Sequence, residues 1–412
     1  KIYKSPKLFK KLSKESHRKV SQECSFVETV EKEIKMLQEA SGKEEIINTS
    51  EEKEADKQKV LSVIVPSYNV EDFLELCIDT LLDHRNRIKM EVVIINDGST
   101  DSTLEIAKKI QKFWNQGEED SIVRIIDKEN GGHGSTINVG LGEVQGKYVR
   151  LVDADDWVDS SKLADLIDIL ENEDSDLVLT DYSEDRVEEN KLFKKEIYEF
   201  LTPRIEYDFE DLCVGGTYGF NEWGPILATS TFKTEVLKKT DFSLTEKSPY
   251  VDMEFNMYSI LNVENIIYYD LDIYRYFIGR SDQSISQESF KRNYLKHRNI
   301  LFTMIKFVET NTDIPSKKRQ YIINKLIVPM INSHYVIMIQ FYKSIPKFLR
   351  YDKELRRYPE YYNHPWVVNR NLKFIRKTRG LTIPMRDFIS VVRKIPGVSK
   401  VIDYSKNLIL IK

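Results

Sequence analysis

The 412-residue sequence predicts an α/β protein centred on a Rossmann-like, mostly parallel sheet, with a helical N-terminal extension and a helical C-terminal domain. Three observations carry that reading. Between residues 60 and 182, short aliphatic runs alternate with stretches of helical spacing, the pattern of strands joined by crossover helices. The first four runs each end on small polar or acidic residues, as strand ends do where a sheet binds ligand. Outside this block the chain turns to charged or aromatic sequence spaced as helices.

Taken in order, Val20, Val27, Val30, Ile34 and Leu37 recur at three- and four-residue steps and predict an amphipathic helix, followed by a solvated linker to residue 58. "VLSVIVP" is a buried strand ending at Pro66, and "FLELCIDTLLDH" a helix. "MEVVIIND" is the second strand; Asp101 or Ser102 can N-cap "LEIAKKIQKFW". "IVRIID" is the third, before a glycine-rich turn that opens the helix "NGGHGSTINVGLGEV". "KYVRLVD" is the fourth, "SSKLADLIDILEN" a helix with Asp159 and Ser160 at its start, and "SDLVLTDY" the fifth. Beyond 182, "KLFKKEIYEF" reads as an irregular strand or hairpin and "GPILATSTFKTEVLKK" as a strand and short helix. "YVDMEFNMYSILNV" reads as a helix, "ENIIYYDLDIYRYF" as two short strands, and the rest as mainly helical.

Composition limits the function. At 41% hydrophobic and 31% charged the chain is an ordinary globular sequence. Cys24, Cys77 and Cys213 share no metal or redox spacing, which suits a reducing cytosol. The start, "KIYKSPKLFKKLSK", is basic without the apolar core of a secretory leader. "YIINKLIVPMINSHYVIMIQF" carries Lys325, Pro329 and His334, making it a poor bilayer span and a better buried helix pair broken at the proline. Residues 291–412 hold 26 Lys+Arg against 7 Asp+Glu, so this tail is +19 and the preceding residues are −23.

The strand ends read Pro66-Ser67-Tyr68-Asn69, Asn96-Asp97-Gly98-Ser99, Lys128 to Gly132, and Asp153-Ala154-Asp155-Asp156. One such end is ordinary turn chemistry; four on one sheet edge point to a site. No GxxxxGK[ST] loop is present, and no GxGxxG follows the first strand. In the extended segment "LVDADDW", Asp153 and Asp155 point the same way while Asp156 faces elsewhere, bonding within the turn, with Trp157 packed beneath. Asp159 and Ser160 can cap the next helix, which leaves Asp153 and Asp155 to hold Mg²⁺ or Mn²⁺ together with substrate phosphates.

The order of "LSVIVPSYN", "INDGSTDST", "NGGHGSTINVGL" and "GKYVRLVDADDW" closely resembles bacterial family 2 glycosyltransferases, over about residues 61–286. The resemblance implies a GT-A catalytic domain over 59–289, between the 1–58 extension and a basic helical 290–412 domain. It implies inverting transfer from a nucleotide-diphosphate sugar, a UDP-sugar above all, with Mn²⁺ or Mg²⁺. Pro66, Tyr68 and Asn69 would line the nucleoside pocket, and Asp97 would meet the base edge. Asn130, Gly131, Gly132 and Asn138 would floor the ribose and diphosphate. Asp153 and Asp155 match the DxD metal motif. His133 would touch the donor or hold its loop. "PYVDMEFNMY" supplies Asp252 as general base, but Val251 replaces the usual Glu, which leaves Glu254 on the acceptor side as the alternative. "YRYFIGRSDQSIS" resembles a closing segment in which Arg275, Arg280, Gln283 and Ser284 would reach the diphosphate. Trp223 would stack on an acceptor sugar or pack in the interior.

Resembling proteins act in capsule, teichoic acid and adhesin glycan assembly, which implies a glycan, glycoprotein or lipid-linked acceptor. The alternative is a catalytically silent scaffold keeping the fold. A cytoplasmic location follows, and the basic tail suits either an anionic inner membrane leaflet or the acidic half of its own chain or of another copy. No nucleic-acid module is recognisable in it.

Overall fold

The computed structural model describes residues 59–115, 121–186, 191–215, 219–220, 224–278, 287–338 and 345–367. The expected helix within 1–58 lies outside them. The described residues all fall in one compact unit.

Among the described residues ten strands form one sheet: β1 Leu61–Ser67, β2 Met90–Asp97, β3 Val123–Lys128, β4 Tyr148–Leu151, β5 Trp157–Val158, β6 Leu177–Arg186, β7 Lys191–Lys195, β8 Glu206–Asp208, β9 Ser230–Lys233 and β10 Asn265–Ile278. Their order is β3-β2-β1-β4-β9-β6-β10-β5, with β7 on β6 and β8 on β10. The β3-β2-β1-β4 half is parallel, as expected. The other half is mixed, because β9 enters antiparallel between β4 and β6.

Helices α1 Leu74–Leu82, α2 Thr103–Trp114 and α4 Ser160–Asn172 cover one face, and α3 His133–Glu143, α5 Phe209–Cys213, α6 Thr234–Lys239 and α7 Val251–Ser259 the other. With both faces covered, β1 and β2 are buried at every residue, which is why they read as unbroken aliphatic runs. In β1, Leu61, Val63 and Val65 enter the core under α1, while Ile64 enters the core under α3.

Three expectations change. The "ENIIYYDLDIYRYF" stretch is a single strand, β10, with register shifts around Asp272 where two strands were expected. Residues 316–336 form a continuous helical run, α9 Ser316–Tyr321, a π-helical Ile322–Ile327 and α10 Val328–Val336, where a break was expected. Pro329 lacks an N–H and crowds the carbonyl a turn earlier; widening the preceding turn accommodates it without ending the helix. Among the described residues no helix is long and apolar enough to cross a membrane.

The third change is the boundary at 290. Helices α8 Gln287–Thr310, α9, α10, α11 Ile345–Leu355 and α12 Pro359–Tyr362 share one apolar core with the sheet, from Ile64 and Val93 to Ile300, Ile331 and Tyr361. Lys317 pairs with Asp211 on α5 (2.8 Å), while Arg298 pairs with Glu354 and Arg319 with Glu360 within the helical part.

Candidate active site

The parallel half of the sheet brings the carboxyl ends of β1 to β4 to one edge. After β1, Pro66 is buried within the strand and Tyr68 is half-exposed. Asn69 takes a left-handed conformation (φ 52°). Its Oδ1 accepts from the Thr100 N–H (2.8 Å), and its own N–H donates to Ser99 Oγ (3.1 Å). Asn69 thus ties the loop after β1 to the loop after β2. At the start of α2, Asp101 accepts from the Thr103 N–H (3.0 Å).

Asp97, at the end of β2, is 2% exposed and holds the glycine-rich turn. Its Oδ1 accepts from Lys128 Nζ (2.7 Å) and the Gly131 N–H (2.8 Å), and its Oδ2 from the Gly132 N–H (2.7 Å). Asn130 Nδ2 donates to the Asp97 carbonyl (3.0 Å). Gly132 has φ 81°, and a Cβ there would press the Lys247 backbone at 3.1 Å, so glycine alone fits. The Asp97 carboxylate expected at a base edge is instead engaged by its own chain. Asn138, expected under the ribose, bonds Leu244 through both side-chain ends (2.8 and 3.0 Å) and fixes the segment leading to α7.

The turn after β4 separates its acids as the alternation predicts. Asp153 and Asp155 are partly exposed; Ala154 and Asp156 are buried at 1% and 2%. His133, the first residue of α3, donates from Nε2 to Asp153 Oδ1 (3.1 Å), since a carboxylate can only accept. Burial pulls the His133 pKa down, but the bond to Asp153 and the negative charges of Asp153, Asp252 and Asp155 outweigh it and raise it overall. Asp156 departs from expectation. Its carboxylate leaves the turn to accept from the Tyr274 hydroxyl (2.6 Å) and the Phe277 N–H (2.8 Å) on β10. Burial, with Asp155 and Asp153 nearby, raises the Asp156 pKa well above the carboxylate range. Trp157 packs on Phe277 (5.3 Å between rings). Asp159 N-caps α4, accepting from the Lys162 N–H (3.1 Å).

Helix α7 sets the two candidate bases apart in exposure. Residues two apart on a helix lie on nearly opposite faces. Asp252 is exposed, whereas Glu254 is fully buried and accepts from the Thr245 N–H (2.9 Å) and Oγ1 (2.8 Å). Glu254 is therefore a structural acid that anchors the loop before α7, not an acceptor-side group. Asp252 is open to solvent yet set deep in the protein mass. That desolvation raises its pKa, opposed by His133 and the α7 backbone and reinforced by Asp153.

Arg275 also departs from expectation. Its guanidinium is buried and donates to Asp272 Oδ1 (2.9 Å) and Asp159 Oδ2 (3.1 Å), which joins β10 to the start of α4 instead of reaching a diphosphate. Trp223, Arg280, Gln283 and Ser284 lie outside the described residues. Sequence reasoning missed Thr245 and Tyr274, and placed Lys128 at a strand end without a partner. Lys128 stood beside the glycine turn and could have been paired with Asp97; Tyr274 carried no local signal.

Among the described residues no group of three or more His, Cys, Asp or Glu side chains is gathered into an all-protein metal cage. Two partly exposed carboxylates fit the other way of holding Mg²⁺ or Mn²⁺, through one or two protein oxygens completed by substrate phosphates.

Residues 62–225, which include the strand ends, the glycine turn and the paired acids, match the family described as Glycosyl transferase family 2. The chain is 33% identical over 162 residues to the glycosyltransferase GlyA of Streptococcus pneumoniae, a match covering 39% of this chain and 17% of GlyA. It is 38% identical over 119 residues to the glycosyltransferase EpsJ of Bacillus subtilis, covering 29% of this chain and 33% of EpsJ. The chain thus matches a third or less of these two relatives. The crystal structure of S. aureus TarS 1–349 with UDP-GlcNAc has the same fold, with a TM-score of 0.54 at 21% identity, covering 78% of this chain and 88% of that one.

Proposed function

We propose that the chain is an inverting, metal-dependent glycosyltransferase. It would move a hexose or N-acetylhexosamine from a UDP-sugar to a hydroxyl of a glycan, glycoprotein or lipid-linked acceptor. The observation that carries this reading is the grouping of Asp153 and Asp155 with His133 and Asp252 at the carboxyl edge of the sheet, where His133 bonds Asp153 and lies within the charge of all three acids. The choice of UDP is supported by TarS, of like fold, which binds UDP-GlcNAc.

Asp153 and Asp155 would hold Mn²⁺ or Mg²⁺, whose charge offsets that of the departing diphosphate when bound. The acceptor oxygen attacks the anomeric carbon from the face opposite the diphosphate. As that bond forms and the bond to the diphosphate breaks, Asp252 takes the hydroxyl proton. Its raised pKa brings it nearer the working pH and makes it a better base than an ordinary carboxylate. Asp97, Lys128 and the Gly131–Gly132 amides keep the glycine turn in place beneath the donor.

The test is a screen of UDP- and GDP-sugars with Mn²⁺, reading release of nucleoside diphosphate. Release from a UDP-sugar, stimulated by an added glycan acceptor, is the expected result. No release from any donor, with folded protein and Mn²⁺ present, would refute the reading.

A further inference from the structure

Tyr274 lies on β10, 121 residues from Asp153, and is 1% exposed, too deep to touch a donor. Its hydroxyl meets both ends of the acidic turn. It donates its single proton to Asp156 Oδ2 (2.6 Å) and accepts from the Asp153 N–H (3.3 Å). The Asp156 N–H closes the turn on the Asp153 carbonyl (2.9 Å), and Asp156 Oδ1 accepts from the Phe277 N–H (2.8 Å). The neighbouring ladder, Tyr274 with Val158 and Arg275 with Trp157, locks β10 to the chain just beyond the turn.

Such a turn has no strand partner of its own between Asp153 and Asp156, so nothing in the sheet ladder sets the direction of its side chains. The Tyr274–Asp156 bond does so from beneath. With Asp156 drawn inward and the Asp153 N–H held, Ala154 also packs inward, and Asp153 and Asp155 remain on the open side. We propose that Tyr274 and Asp156 form a buried clasp that aims the two metal-holding carboxylates, making them positioning residues for donor binding. This rests on the donor reading above and adds residues two layers below the diphosphate.

Outer residues of this kind change metal affinity by about 10–100-fold when lost. The experiment is calorimetric UDP binding by the full chain, with Mn²⁺ titrated and with EDTA, for wild type, Tyr274→Phe and Asp156→Asn, beside their thermal unfolding. If wild type binds no UDP under any condition, the donor reading itself fails. Given wild-type binding, Tyr274→Phe is expected to raise the half-saturating Mn²⁺ about 10-fold while the weaker EDTA binding stays unchanged. Asp156→Asn keeps one accepting oxygen and should fall between, and it carries the test should Tyr274→Phe not fold. An unchanged Mn²⁺ requirement in the folded variants overturns the clasp. So does an equal loss with and without metal, because the pair would then only support the fold.

Discussion

At the scale of single residues, Asp252, as the proposed base, would separate a transferase site from a mere sugar-nucleotide binding surface. Asp252→Asn preserves size and the first turn of α7 but cannot accept a proton. Transfer should fall about 10²–10⁴-fold while UDP binding survives. Only the deprotonated carboxylate can act as base, and desolvation by the surrounding protein raises its pKa above the ordinary value of 3.8. The acidic limb of kcat/KM should therefore lie above 3.8, with activity lost as pH falls through it. A rate independent of pH across the acid range, or unimpaired transfer by Asp252→Asn, would move the base elsewhere. The exposure of Asp153 and Asp155 beside buried Ala154 and Asp156 follows the alternation expected of "LVDADDW", although the segment closes as a turn and is not extended chain. The partner of Asp156 was not legible, because Tyr274 lies 118 residues away and reaches it through strand register. Likewise, the choice between Asp252 and Glu254 needed the phase of α7 against its neighbours.

At the scale of elements, the glycine turn between β3 and α3 depends on one buried acid. Asp97→Ala would leave Lys128 and two backbone N–H groups facing a 2%-exposed space without their acceptor. Removing one partner of such a pair costs about 3–5 kcal/mol, so denaturant unfolding should shift accordingly. Were Asp97 mainly a base-recognition group, the variant would keep its stability and change its preference among nucleotides. The strands β1, β2 and β4 were legible because they are buried at every residue and read as aliphatic runs, and the partly buried edge strand β3 because its run is still aliphatic. The antiparallel entry of β9 and the single irregular β10 were not, since "GPILATSTFK" and "ENIIYYDLDIYRYF" specify extended chain without specifying neighbours. The continuous helix at Pro329 was misread for a related reason: a proline marks a local difficulty, and tertiary packing decides whether the helix ends or widens there.

At the scale of the molecule, the charge change near residue 290 suggested a separate domain, whereas the apolar core runs straight through it. A chain ending at 289 would uncover Phe255, Met257 and Tyr258, which pack in the same core as Ile300, Leu301, Met304 and Ile305. It should lose cooperative unfolding and aggregate, as size-exclusion chromatography and circular dichroism would show; a monodisperse, cooperatively melting fragment would restore the two-domain view. The central claim concerns the acidic turn, and the most direct measurement is Mn²⁺-dependent release of UDP from a UDP-sugar by the full chain and by Asp155→Ala. The expected result is release that EDTA abolishes and that Asp155→Ala lacks although it remains folded. Full release in EDTA, or by Asp155→Ala, would contradict it.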